Sequence, residues 1–446
     1  MNPTTFGWTT IIRLALVQTM LGAIIVLMTS TINRVMVVEL ALPAVVPGLL
    51  VASHYAIQIL RPAWGYGSDV GGRRTPWIIG GMAALALGGM GAALGTAVAA
   101  SSRPLGVSVA ALSFLLLGIG AGSAGTSVLA MLATHVEARR RAFAASTVWM
   151  MMILGFAISA PLAGSFLDPF SNTRLIAVTS AICAIAFTVA TLAVWGLETA
   201  PAISQELRSR TTARPLFRQA LAEVWREPAA RRFTIFIFVS MLAYGAQELL
   251  IEPFAGLVFG MSPGSTTKLA GLQHGGVLVG MVGVAILASS IGGPILGSLR
   301  LWTIGGCVSS ALSLLAIALV GFLSLGPDIF RAAVFSLGIS NGAFAVAAIG
   351  SMMALAGTGA GSREGTRMGL WGAAQAIAFG LGGVAATLSV DLARAFAASP
   401  LVAYASVFAI ESAFFFGAAM LASQVGRGAY RDQNAPAPRG ALAVGS

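Results

Sequence analysis

A few ionisable and amide side chains interrupt long apolar runs, and their spacing would align them for chemistry inside a membrane. His54, Gln58 and Arg61 follow at i, i+4 and i+7, which places them on one face of a helix. Glu248 and Glu252 are also four residues apart. Because buried ionisable groups are costly in lipid, such residues are functional candidates, for proton movement or for binding a ligand.

The remaining candidates are spread over other apolar runs. They are Gln18, Gln247, Gln273, His274, Asn341, Gln375 and Glu411. The central parts of the fourth, fifth and tenth apolar runs carry almost no charge, so any cavity there would suit an apolar ligand.

The composition excludes most soluble classes of protein. Of 446 residues, 57% are hydrophobic and only 9% are charged, against about 25% charged in a typical soluble domain. The net charge of +11 comes from basic residues scattered between apolar runs, which is typical of membrane loops and not of a nucleic-acid interface. Cys183 and Cys307 lie in apolar runs, so we expect no disulfide.

Apolar runs of helix length predict an all-α membrane protein with twelve transmembrane helices. The predicted spans are 13–35, 44–66, 76–100, 106–134, 143–167, 174–197, 233–258, 269–292, 301–325, 329–356, 368–390 and 401–424.

The distribution of basic residues predicts the orientation. With the N-terminus inside, 19 of the 26 basic residues fall on the inner side and six, including Arg34, on the outer side. Arg61 lies within the second span. This excess predicts that both termini lie in the cytoplasm.

A hydrophilic stretch divides the chain. We predict an N-terminal six-helix bundle at 1–197, a cytoplasmic linker at 198–232, a C-terminal six-helix bundle at 233–425 and a disordered cytoplasmic tail at 426–446. Within the linker, apolar residues recur at helical spacing over 214–227. This segment is either an amphipathic helix on the membrane surface or a plain connecting helix.

Sequence markers suggest an internal repeat. Pro43 and His54 recur 220 residues later as Pro263 and His274. Trp149 precedes Asp168 by 19 residues and Trp371 precedes Asp391 by 20, so span five should match span eleven. Two parallel six-helix pseudo-repeats are the arrangement of the major facilitator fold.

The loop after span two carries the strongest local motif. Gly65, Asp69, Gly72, Arg73 and Arg74 resemble the major-facilitator signature of Gly, three residues, Asp, two residues and Gly-Arg-Arg. We expect Asp69 to pair with Arg73 or Arg74, or to face a helix N-terminus, and so to act as a gating latch. The alternative is a basic loop that only sets topology. The matching place in the second half, 289–294, has no charge.

The two intramembrane histidines permit a more specific hypothesis. A neutral imidazole nitrogen can bind the magnesium of a chlorin as an axial ligand, so His54 and His274 are candidate metal ligands. The alternative is that each only hydrogen-bonds a neighbouring helix.

Several blocks, in order, resemble one family. They are 33–43 (NRVMVVELALP), 69–78 (DVGGRRTPWI), 136–155 (VEARRR followed by VWMMMILG), 252–264 (EPFAGLVFGMSPG) and 273–276 (QHGG). They are similar to the bacteriochlorophyll delivery family, the PucC/LhaA-type branch of the major facilitators. The likeness is closest to members encoded among bacteriochlorophyll biosynthesis genes.

The resemblance implies a pigment-handling protein of purple phototrophic bacteria. It would receive bacteriochlorophyll, or a late precursor, from geranylgeranyl reductase or chlorophyll synthase, and pass it to light-harvesting polypeptides. Membrane lipids would be further partners and nucleic acid would not. His54, His274 or a glutamate would be the axial ligand, with Arg34 or Arg61 near pigment carbonyls.

Two functions remain open from the sequence. The first is a non-enzymatic pigment-binding delivery factor whose ligand site includes His54, Gln58, Arg61, Glu248, Glu252, His274 and Arg34. The second is a proton-coupled transporter of a small hydrophobic solute, with Glu248, Glu252 or Glu411 carrying protons. No nucleotide-binding loop or catalytic triad spacing supports an enzyme.

Overall fold

Twelve long helices account for nearly all of the chain that the computed structural model describes, namely residues 6–61, 64, 73–198, 225–288, 293–358, 364–397 and 399–424. Proline is the first or second residue of six of these helices, where its missing N–H would have no helical partner. In chain order the helices are α1 Trp8–Glu39, α2 Val45–Leu60, α3 Thr75–Ala99, α4 Arg103–His135, α5 Ala138–Leu167, α6 Asn172–Val194, α7 Pro228–Phe259, α8 Pro263–Leu287, α9 Leu299–Phe322, α10 Pro327–Thr358, α11 Glu364–Phe396 and α12 Pro400–Gln424.

Each predicted span coincides with one of these helices. Eleven are long and apolar enough to cross a membrane, and α2 is a shorter apolar helix. Many large apolar side chains point outward, such as Leu112 and Leu192, which are 70% and 65% exposed. An apolar exterior on a helical bundle is what a lipid environment requires, so the chain is a multi-pass membrane protein.

The packing of the helices repeats after six elements. In the first half, α1 packs against α5 and α6, α3 against α4 and α6, and α2 against α4. In the second half, α7 packs against α11 and α12, α9 against α10 and α12, and α8 against α10. This correspondence confirms the predicted pseudo-repeat and the match of span five with span eleven.

Two helix pairs join the halves, α2 with α11 and α5 with α8. Small residues permit the close approach. A Cβ placed on Gly164 would lie only 2.5 Å from the carbonyl oxygen of Gly264, so α5 and α8 can touch there only because Gly164 has no side chain. The two pairs are equivalent under the pseudo-repeat.

An aspartate caps the start of one helix in each pair, and we call these contacts the two clasps. Asp391 of α11 accepts hydrogen bonds from the backbone N–H groups of Ala44 and Val45, at 2.9 and 2.8 Å. Asp168, next after α5, accepts from the N–H of Gly264 at 3.1 Å and from the hydroxyl of Ser262 at 2.7 Å. The first N–H groups of a helix lack partners and carry partial positive charge, so a carboxylate satisfies and stabilises them.

Both clasps lie on the face opposite the N-terminus, where α1 connects to α2 and α7 to α8. We call it the distal face, and the opposite one the proximal face. The clasps therefore fasten the two halves together at the distal face, the side that the count of basic residues predicts to be periplasmic.

We expect Asp168→Ala and Asp391→Ala each to lower the free energy of unfolding by about 1–2 kcal/mol, as for the loss of a helix cap. The double variant should lose about the sum, because the clasps share no residue. Thermal unfolding of the purified protein in detergent measures the effect. Asp328→Ala is the control, since Asp328 is 90% exposed and pairs with Arg331 on its own helix. If the clasp variants unfold at the same temperature as this control, the clasps do not hold the halves together.

Candidate functional site

The distal part of α1 departs from α-helical geometry where it meets the second half. Leu27–Ile32 and Val35–Glu39 are π-helical, a rare conformation that is frequent at functional sites. The hydroxyls of Thr31 and of Thr267 in α8 lie 2.9 Å apart between the halves. This segment brings several polar side chains to α7 and α8.

Asn33 satisfies a backbone carbonyl that a proline leaves unpaired. Pro253 lies inside α7 and has no N–H for the carbonyl of Leu249, four residues earlier. The side-chain amide of Asn33 donates to that carbonyl at 2.8 Å. The contact is buried, so a side-chain amide of the first half supplies the hydrogen bond that a helix of the second half lacks.

Arg34 lies next to Asn33 and is only 3% exposed. Its guanidinium pairs with the Glu39 carboxylate and donates to the carbonyl of Met261 at 2.7 Å. A Cβ on Gly256 would lie 3.1 Å from this guanidinium, so the glycine leaves room for it. Arg34 therefore lies within α1, as the predicted span 13–35 has it, and an ion pair and a carbonyl allow it to be buried there.

Glu252 lies in α7 close enough to Ser30 and Arg34 to interact with both. It is 4% exposed, and within the described part of the chain its Oε2 has no hydrogen-bond partner. Glu252 is therefore a buried acid beside a buried base that is already paired with Glu39.

His274 and Glu248 face each other between α8 and α7, one turn of α7 from Glu252. The Nδ1 of His274 lies 2.9 Å from the carbonyl of Ala270, so Nδ1 carries the proton and donates. In the neutral imidazole, Nε2 is then the unprotonated nitrogen, and it lies 4.0 Å from Oε1 of Glu248. Phe156 of α5 contacts the imidazole at 4.7 Å between ring centroids.

Aromatic rings from three helices lie beside Glu248. Tyr55 of α2 stacks on Phe379 of α11 at 5.4 Å, and Tyr244 of α7 packs its edge on the same ring at 5.6 Å. Both tyrosines are close enough to Glu248 to interact electrostatically. The acid thus faces an aromatic cluster where the halves meet.

The structure links the three predicted residues of α2 in one chain of hydrogen bonds. Arg61 donates to Oε1 of Gln58, and the Gln58 amide nitrogen lies 2.9 Å from Nε2 of His54. The His54 Nε2 therefore accepts a hydrogen bond and Nδ1 carries the proton. His54 is 5% exposed, whereas Arg61 is exposed. Unlike His274, His54 has its unprotonated nitrogen already occupied.

The signature motif lies largely outside the described residues, which include neither Gly65, Asp69 nor Gly72. Arg73 is exposed, and the Arg74 guanidinium contacts the Ala130 carbonyl and the Thr134 hydroxyl of α4. The segments 199–224, 289–292 and 425–446 also lie outside, and with them most of the predicted amphipathic helix, the second latch position and the tail.

A lateral apolar cleft of about 310 Å³ lies toward the proximal end of α3 and α4. Trp64, Trp77, Gly80 and Ile119 are among its lining residues. Ile119 is 39% exposed, so the cleft adjoins the lipid-facing surface.

Sequence reasoning missed several residues that join these groups. Asn33, Glu39, Tyr55, Tyr244 and Pro253 were not singled out for a site, and only Pro253, inside an apolar run, carried a readable signal. No group of three or more His, Cys, Asp and Glu side chains suited to a metal ion occurs among the described residues. Any metal there would take at most two protein ligands from this set of side chains.

Solved structures show the same fold. The nucleoside transporter NupG superposes with a TM-score of 0.70 over 93% of this chain and 99% of its own, at 13% identity. A POT peptide transporter superposes with a TM-score of 0.67 over 95% and 96%, at 14% identity. The class is therefore that of the major facilitator fold, as predicted.

Sequence comparison identifies the family within that class. The model of the family described as PUCC protein matches residues 31–430, and the chain belongs to this family. It is 50% identical to the "Bacteriochlorophyll synthase 44.5 kDa chain" of Rhodobacter capsulatus, over 96% of this chain and 98% of that protein. It is 31% identical to "Protein PucC" of Rhodobacter capsulatus, over 90% and 89%. The predicted family is confirmed.

Replacing Asn33 by Leu should lower the free energy of unfolding by about 1–3 kcal/mol, because the buried Leu249 carbonyl then has no partner. Adding Pro253→Ala supplies an N–H within α7 for that carbonyl, so the double variant should recover much of the loss. A double-mutant cycle of thermal stability measures this coupling. Strictly additive effects would mean that Asn33 does not serve the proline site.

Proposed function

We propose that this protein binds bacteriochlorophyll, or a late precursor of it, and delivers the pigment from biosynthetic enzymes to light-harvesting proteins. The observation that carries the proposal is the geometry of His274. Its Nδ1 donates to a backbone carbonyl, which orients the ring, and its Nε2 is unprotonated and can bind magnesium. A chlorin magnesium needs one such axial ligand.

The surroundings of His274 suit a flat apolar ring. Phe156 contacts its imidazole, and the stacked pair of Tyr55 and Phe379 lies beside Glu248, which faces His274. Because His274 is only 4% exposed, the pigment must enter by separating α5 from α8.

The names of the relatives support a link with pigment metabolism and with photosynthetic complexes. One relative is named a bacteriochlorophyll synthase chain and others are named PucC. We infer that geranylgeranyl reductase or chlorophyll synthase supplies the pigment and that light-harvesting polypeptides receive it. We also infer an inner or intracytoplasmic membrane location with both termini in the cytoplasm, from the distribution of basic residues.

The experiment is purification from the native membrane in mild detergent, followed by absorption spectroscopy and chromatography of the extracted pigment. We expect a stoichiometric bacteriochlorophyll band that His274→Ala removes. His54→Ala is the matched control and should keep the band, because the His54 Nε2 is occupied by Gln58. A colourless wild-type protein, or a band that persists in His274→Ala, would overturn the assignment.

The same preparation separates a carrier from an enzyme. The word synthase in one relative's name makes catalysis the competing interpretation. A carrier releases the pigment chemically unchanged, whereas an enzyme converts an added precursor in the absence of its partners. We propose the carrier.

Proton-coupled transport is the second candidate, and the Glu248–His274 pair is the observation that favours it. A carboxylic acid 4.0 Å from an unprotonated imidazole nitrogen, with Glu252 one turn away, resembles a proton relay. The solved structures of the same fold are transporters of nucleosides and peptides.

We expect proteoliposomes with a pH-sensitive dye to show no solute-dependent proton flux, since delivery between partners within the membrane moves no proton across it. Empty liposomes and Glu248→Gln are the controls. A flux present in the wild-type protein and absent from Glu248→Gln would establish transport instead.

A further inference from the structure

A second group of polar side chains is buried inside the second half, separate from the residues discussed above. Gln247, Asn341 and Glu411 are 0%, 0% and 3% exposed. Within the described residues, hydrogen-bond partners are missing for both polar atoms of Gln247, both carboxylate oxygens of Glu411 and the amide nitrogen of Asn341. Buried polar groups without partners are costly, and a bound water or ion is a usual reason for them.

Hydrogen bonds place Asn341 and Glu411 at the same depth. The Ser310 hydroxyl of α9 donates to Oδ1 of Asn341 in α10 at 2.9 Å. The Ser412 hydroxyl of α12 donates to the carbonyl of Ala311 at 3.0 Å. Ser310 and Ala311 are neighbours, so α9, α10 and α12 present Asn341 and Glu411 at one level of the bundle.

Ring contacts place Gln247 at this level too. Phe254 of α7 packs on Tyr404 and Phe408 of α12, at 5.9 and 5.2 Å between ring centroids. Gln247 precedes Phe254 by seven residues and Glu411 follows Tyr404 by seven, which is about two helical turns in each case. The helices α7 and α12 run in opposite directions. Gln247 and Glu411 therefore both lie on the proximal side of the ring contacts, on the same helix faces as Phe254 and Tyr404.

We propose that Gln247, Ser310, Asn341 and Glu411, which together form the polar layer, bind one monovalent metal cation, with sodium as its reference ion. The ligands would be oxygens, which suit hard cations: the Glu411 carboxylate, Oε1 of Gln247, the Ser310 hydroxyl and the second lone pair of Asn341 Oδ1. The layer carries a single carboxylate, so one monovalent ion leaves it neutral, whereas a divalent ion would leave a buried excess charge. The ion would draw α7, α9, α10 and α12 together. This site is independent of pigment binding.

The test measures the thermal stability of the purified full chain in nanodiscs while sodium chloride replaces choline chloride at constant ionic strength. Ligand binding to the folded state stabilises it as the ligand concentration rises above the dissociation constant. We expect the melting temperature to rise with sodium in the wild-type protein. Glu411→Gln and Gln247→Leu should lose most of this rise. Equilibrium binding of radioactive sodium should give about one ion per chain, in line with the single carboxylate.

Glu248→Gln is the matched control. Like Glu411→Gln it removes an intramembrane acid, but Glu248 lies in α7 and outside the polar layer. It should keep the sodium response. No response and no sodium binding in the wild-type protein would overturn the proposal, and so would a response that Glu411→Gln leaves unchanged. Either result would assign Glu411 as a neutral, protonated acid without an ion.

Discussion

Pairing of backbone N–H and C=O groups inside an apolar bundle determines where this chain can place its few polar side chains. Lipid offers no hydrogen bonds, so every break in a helix must be completed by another part of the protein. The side-chain amide of Asn33 donates to the carbonyl of Leu249, which Pro253 leaves without a helical partner. Asp168 and Asp391 accept hydrogen bonds from backbone N–H groups at the starts of α8 and α2. These side chains pair with backbone of the opposite half, so satisfying the backbone and joining the halves are one interaction.

The two halves repeat in backbone geometry but differ in chemistry. The 220-residue offset that relates His54 to His274 also relates Met28 to Glu248 and Ile32 to Glu252. The first half therefore has apolar side chains where the second half has acids. Even the paired histidines differ, because Nε2 accepts a hydrogen bond from Gln58 in His54 and lies 4.0 Å from the Glu248 carboxylate in His274.

The sequence predicts the helices well, because a helix-length run of apolar residues can be recognised from neighbouring positions alone. The pseudo-repeat was readable from a few prolines, histidines and aspartates, and the i, i+4 rule placed His54, Gln58 and Arg61 together. Burial of Arg34 was not readable, since a hydropathy pattern does not show that Glu39 and the Met261 carbonyl pair with its guanidinium. Nor could spacing show that His274 faces Glu248, because that contact depends on the approach of two helices. The aspartates were recognised as repeat markers, but their partners lie about 100 or more residues away in the chain.

Both clasps lie at the distal face, so a small tilt of a helix around its clasped end becomes a larger displacement at its proximal end. A helix of 25 residues such as α8 is about 37 Å long, so a tilt of about 5° around its clasped end moves the other end by about 3 Å. That displacement is close to the thickness of a flat aromatic ring. A small rotation can therefore part the helices at the proximal face while the hydrogen bonds at the distal face stay intact. Such a tilt would open the bundle toward one side of the membrane and leave the other side closed.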